Sequence, residues 1–100
     1  MDLAKLERLA AAQINLLPLP ELNAHFVFER DGFVALVERR GDEFGRVGAA
    51  GLLVEKDGFA ALVWRGSEAF FVSRNYDEPA SPAQVASLRR FQAELEAALS

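Results

Sequence analysis

The sequence predicts an α+β fold, a two-layer sandwich in which a five-stranded antiparallel β-meander is flanked by N- and C-terminal helices. Three observations carry it. The stretch VFERDGFVALVERRG at 27–41 recurs 26 residues later as LVEKDGFAALVWRG. Each copy is centred on Asp-Gly, a dipeptide favoured where two strands fold back on each other. Before and after this repeat, apolar residues recur at helical rather than strand spacing.

The first helix is predicted over 2–16. Asp2 supplies an N-cap, and Leu3, Leu6, Ala10, Ile14 and Leu17 fall on one face, with Pro18 and Pro20 ending it. The first hairpin pairs 24–30 with 33–39 around Asp31-Gly32. A two-residue loop sets Arg30 opposite Phe33, Phe28 opposite Ala35 and Phe26 opposite Val37. The second hairpin follows the same logic around Asp57-Gly58. It puts Leu52, Val54, Phe59, Ala61 and Val63 with the first face, and Leu53, Glu55, Leu62 and Trp64 on the second. Gly66-Ser67 turns the chain into a fifth strand near 68–74, with Phe70 opposite Val63. The connector 40–48 reads either as a glycine-bearing loop or as a bulged extension of the third strand. Residues 75–80 read as a linker. Ser81-Pro82-Ala83-Gln84 is a capping box with proline at the first helical position, and Val85, Leu88, Phe91, Leu95 and Leu99 form the stripe of the second helix.

Composition narrows the class. A chain of 100 residues, 51% apolar and 26% charged, reads as one ordered domain, 1–100, with a single core. Without cysteine it has neither disulfides nor thiolate metal sites. A net charge of −4 disfavours nucleic acid and anionic lipid as partners. The N-terminus lacks the pattern of a secretory signal and no apolar run is long enough to span a membrane, so the expected location is cytoplasmic.

The sheet should therefore turn Phe26, Phe28, Phe33, Phe59 and Phe70 toward both helices. Each buried phenylalanine contributes on the order of 1.5–3 kcal/mol. The second face then carries Val27, Val34, Leu36, Leu53, Leu62, Trp64 and Phe71, interrupted by Glu29, Glu38 and Glu55. That is more apolar surface than a monomer usually leaves in water, so either a helix or a second copy of the chain should cover it.

Chemical motifs are sparse. His25, the only histidine, is expected opposite Glu38. The pair reads as an oriented general base or, more plainly, as a cross-strand contact near a sheet end. The serines sit in no nucleophile signature, Ser67 reading as a turn residue and Ser81 as a cap. Glu29 with Glu55 and Asp31 with Asp57 are paired only through the repeat, and read as solvated carboxylates beside turns. Arg39, Arg40 and Arg46 flank Gly41, Gly45 and Gly48, a composition that can hold an anion, although Asp42 and Glu43 neutralise it locally and no phosphate-loop motif is present. No motif calls for a cofactor or a metal. Trp64 replaces Glu38 between the two copies, and serves either an interface or the core. The expectation is a non-enzymatic domain acting through protein–protein contact, most simply as a homodimer. The alternative is a small-molecule or anion-binding domain that uses the arginine-bearing connector or a pocket between sheet and helices.

Overall fold

The computed structural model describes residues 2–18, 24–54 and 58–100. The expectations placed on Pro20, Glu55 and Asp57 lie outside these residues. Helix α1 (Leu3–Ala11) precedes seven strands, β1 (Asn15–Leu17), β2 (His25–Arg30), β3 (Phe33–Arg40), β4 (Glu43–Val54), β5 (Gly58–Arg65), β6 (Glu68–Ser73) and β7 (Tyr76–Pro79). Helix α2 (Pro82–Leu99) closes the order. Every strand pairs antiparallel with its sequence neighbours, so the sheet order is β1-β2-β3-β4-β5-β6-β7. No helix among the described residues is long and apolar enough to cross a membrane.

Seven strands replace the five expected, and both additions have local causes. α1 stops five residues early. Gln13 takes φ 60°, its N–H donates to Ala10 C=O, and the Ile14 N–H donates to Leu9 C=O. This is the Schellman arrangement with glutamine where glycine is usual, and it brings Ile14 and Leu9 together in the core. Ile14 and Leu17 continue the helical spacing in the sequence, yet the chain has left the helix before reaching them. Asn15–Leu17 instead pairs with β2. At the other end, the expected linker contains β7, paired with β6 from Phe70↔Pro79 to Ser73↔Tyr76.

The 40–48 connector is a hairpin. Arg40 pairs with Glu43 around Gly41-Asp42, with Gly41 at φ 63°. Between Ala35↔Ala50 and Val37↔Val47, β3 advances two residues and β4 three, and the same occurs between Val37↔Val47 and Arg39↔Phe44. Two bulges therefore lie on β4, beside Gly48 and Gly45, and the twelve-residue strand bends at both.

The two repeat copies fold differently. In the first, Asp31 and Gly32 both take positive φ (56° and 86°), and Arg30↔Phe33 closes a two-residue hairpin as expected. In the second, Val54 pairs with Gly58, so three residues intervene. Gly58 then takes φ 70°, a left-handed residue of the kind that longer hairpin loops use. The resulting slip is an odd number of residues, and side chains alternate with period two, so it exchanges the faces of β5 and β6.

One face of the sheet meets the helices. Phe26, Phe28, Ala35, Val37, Ala50, Ala60 and Phe71 form a single buried cluster with Leu9 and Ile14 from the N-terminal segment and Leu88, Phe91, Leu95, Ala98 and Leu99 of α2. The α2 stripe is thus as expected, except that Val85 is only half-buried. The capping box is complete, with Ser81 Oγ accepting the Gln84 N–H at 3.1 Å and Gln84 Oε1 accepting the Ser81 N–H at 2.9 Å. Two arginines tie the helices down. Arg8 donates to Ala98 C=O (2.9 Å) and Ser100 C=O (3.0 Å), placing a cation on the negative end of α2. Arg30 donates to Ala12 C=O and to Glu94, with its guanidinium 5.5 Å from the Phe91 ring centre.

Candidate functional site

The registers define the sheet face turned away from the helices. One row crosses all seven strands as Asn15, Glu29, Val34, Gly51, Ala61, Val72 and Asp77. Beside it, Leu17, Val27 and Leu36 align on one half of the sheet, and Val63, Phe70 and Pro79 on the other. Val27, Val34, Leu36 and Leu53 thus stand where the sequence predicts. Leu62, Trp64 and Phe71 do not. Leu62 pairs with Phe71 in the helix-covered layer, where Phe71 is 1% exposed. Trp64 lies on the same side, with the Arg89 guanidinium of α2 5.5 Å from its ring. Phe59, Ala61, Val63 and Phe70, expected inside, take their places outside. The Val54↔Gly58 register is the physical reason, because an odd slip turns every side chain of β5, and of β6 paired with it, to the other face.

The corrected face remains apolar. Leu53 and Val63 are 41% and 37% exposed, and Leu36, Phe59, Phe70 and Val72 are half-buried. Val27 and Val34 are buried but lie outside the helix-backed cluster. At the centre, Gly51 offers no side chain. A Cβ there would lie 1.8 Å from the Ala60 carbonyl oxygen, so the β5 backbone occupies the space a larger residue needs.

Charge borders this surface. His25 pairs with Glu38 in register as expected. The Glu38 carboxylate, however, accepts a hydrogen bond from Arg40 Nε. That bond and the Arg40 charge hold the Glu38 carboxyl below its ordinary range, with smaller help from Arg46 and His25. Across the sheet, Arg65 grips Asp77 through both terminal nitrogens at 3.2 and 2.9 Å and stacks 4.6 Å from the Phe70 ring centre. Among the described residues, Glu38 bonds to Arg40 and no side-chain hydrogen bond joins it to His25.

The connector arginines do not converge. Arg39 and Arg40 are adjacent on a strand and point to opposite faces. Arg39 lies 4.0 Å from the Phe26 ring centre, while Arg40 is taken by Glu38. Arg46 borders a shallow hollow of about 450 Å³ shared with Glu96 and the end of α2. Among the described residues, no three of His, Asp and Glu come together as metal ligands would.

The sequence names a pocket between sheet and helices only in outline, and the structure shows one near the end of the sheet. Where the β5–β6 hairpin meets the first turns of α2, Trp64, Phe70, Pro79, Val85, Ala86 and Arg89 enclose much of a groove of about 650 Å³, with Glu68 and Ser67 on its sheet side. Only the flipped register brings Trp64 toward α2, so helical and strand periodicities read separately could not have found it. No protein-family model, characterised protein or solved structure matches this chain.

Proposed function

We propose that the chain is a homodimerisation module, which binds a second copy of itself through the sheet face opposite the helices. In this reading the monomer is a two-layer sandwich, and the partner's sheet supplies the layer that the outer face lacks. The observation that carries it is the apolar patch of Leu36, Leu53, Phe59, Val63, Phe70 and Val72 on the face turned away from the two described helices. The exposed part of the patch lies on β3 to β6, since Val27 and Val34 on the same face are already buried within the chain.

The charges are self-complementary, which favours a second copy over an unrelated partner. Val34 and Ala61 lie on one row. β3 and β5 run in the same direction, so Glu38 and Arg65, each four residues further on, stand at the same level. His25 and Glu68 flank them through the pairs His25↔Glu38 and Arg65↔Glu68. A two-fold axis parallel to the strands and passing over β4 exchanges β3 with β5 and β2 with β6. It sets the Glu38–Arg40 pair against the second copy's Arg65–Asp77 pair, so that Glu38 and Arg65 gain a second partner of opposite charge, and it sets His25 against Glu68 while Leu36 meets Val63. The same operation repeats each contact, as a closed dimer requires.

The test is a charge swap read by sedimentation. Glu38→Arg should weaken the dimer, Arg65→Glu should do the same, and the double variant should recover it in part. Leu53→Lys should yield a folded monomer. If the double variant associates no better than either single one, the axis is wrong. If Leu53→Lys leaves the mass unchanged, the face is not the interface.

A further inference from the structure

We propose that the groove between the β5–β6 hairpin and α2 is a binding site for a small hydrophobic monocarboxylate, a molecule with an apolar body and one carboxylate. It lies where the β5–β6 hairpin meets α2, touches the proposed dimer face only at its rim, through Glu68, Phe70 and Pro79, and does not depend on that reading. Its volume of about 650 Å³ suits a small molecule. The lining includes Trp64, Phe70, Pro79, Val85 and Ala86.

Three observations select the ligand. Trp64 is 48% exposed, so a large aromatic surface stands uncovered at the mouth. Arg89 stacks on that ring, and no described carboxylate comes within ion-pair distance of it, which leaves its guanidinium donors to an incoming anion. Glu68 borders the sheet side, and its charge repels a second negative group, which disfavours phosphates and dicarboxylates. The carboxylate therefore meets Arg89, and the apolar body lies along Trp64 toward Val85 and Ala86.

Trp64 is the only tryptophan, so its fluorescence reports the groove directly. The probes are decanoate and its uncharged counterpart decan-1-ol, both kept below aggregation. Decanoate should change the emission saturably and bind about tenfold more tightly than decanol, the margin of one charge-assisted contact. Arg89→Gln should remove the difference between the two. Ala86→Phe, on an exposed helix position, fills the groove and should abolish binding while circular dichroism stays unchanged. Leu53→Lys on the opposite face should leave binding intact. Equal affinity for acid and alcohol overturns the proposal, as does full binding by the Ala86→Phe protein. So does loss of binding with Leu53→Lys, which would locate the probe on the outer sheet face. A fall in mass with Ala86→Phe in the absence of probe also overturns it, because the groove would then hold a second copy.

Discussion

Replacing Gly51 by alanine tests the strand register on which every face assignment depends. With Gly51 opposite Ala61, the added methyl carbon lies 1.8 Å from the Ala60 carbonyl oxygen, 2.8 Å from its carbon and 2.9 Å from the Ala61 Cα. A carbon–oxygen contact needs about 3.3 Å, so β4 and β5 must part locally by roughly 1.5 Å. Two or three backbone hydrogen bonds then stretch beyond useful length, at about 1 kcal/mol each. Alanine returns about 0.4–1 kcal/mol by restricting the unfolded chain. The expected net loss is about 2 kcal/mol, or roughly 8–16 °C in Tm for a domain of this size. Gly48→Ala is the control, since its methyl meets only the Leu36 carbonyl at 3.5 Å, an ordinary contact. It should stay within about 1 kcal/mol of the parent. Urea unfolding followed by circular dichroism, at one fixed protein concentration because association adds stability, measures both. Under the two-residue register residue 51 would face residue 64, and the clash with the Ala60 carbonyl would not arise. A Gly51→Ala protein as stable as the parent would therefore refute the Gly51↔Ala61 register and every exchange of faces derived from it.

Three further outcomes follow from the packing. Phe71→Ala should destabilise the monomer by about 3–5 kcal/mol, as a buried aromatic does, whereas an interface role would lower the mass without lowering the urea midpoint. Gln13→Gly should raise stability by about 1 kcal/mol, because a left-handed residue with a Cβ is strained there; an unchanged midpoint would count against the Schellman stop. The folded-state carboxyl of Glu38 titrates lower than in the unfolded chain. Its contribution is therefore present above the unfolded pKa and is lost as pH falls through the folded one. Arg40→Ala should move the Glu38 carboxyl resonance titration upward, and an unshifted curve would mean that Arg40 does not hold it.

The sequence makes some elements plain because local chemistry decides them. Ser81-Pro82-Ala83-Gln84 starts α2 wherever it occurs, and Asp31-Gly32 fixes the pairing of β2 with β3 without help from the rest of the fold. The end of α1 is not legible in the same way, since its stop is a glutamine in a conformation that usually announces itself with glycine. The start of β4 is only half legible, because its glycines read equally as a loop or as bulges in an extended strand, and the bulges lie on a new strand rather than on an extension of β3. The decisive ambiguity is β5. GFAALVWR is apolar on both faces, so hydrophobic alternation cannot choose between registers, and only the loop length can. Of the outer-face residues, Val27, Val34, Leu36 and Leu53 precede that loop and were legible, while Leu62, Trp64 and Phe71 follow it and exchange with Phe59, Ala61, Val63 and Phe70. The groove is a further step removed, because it needs α2 and the flipped β5 together.

The mass of the unmodified chain in solution, by light scattering on a size-exclusion column at high micromolar concentration, bears most directly on the self-association of the outer face. Association through that face gives twice the 11.0 kDa of one chain. A single species at 11.0 kDa across that range would contradict it.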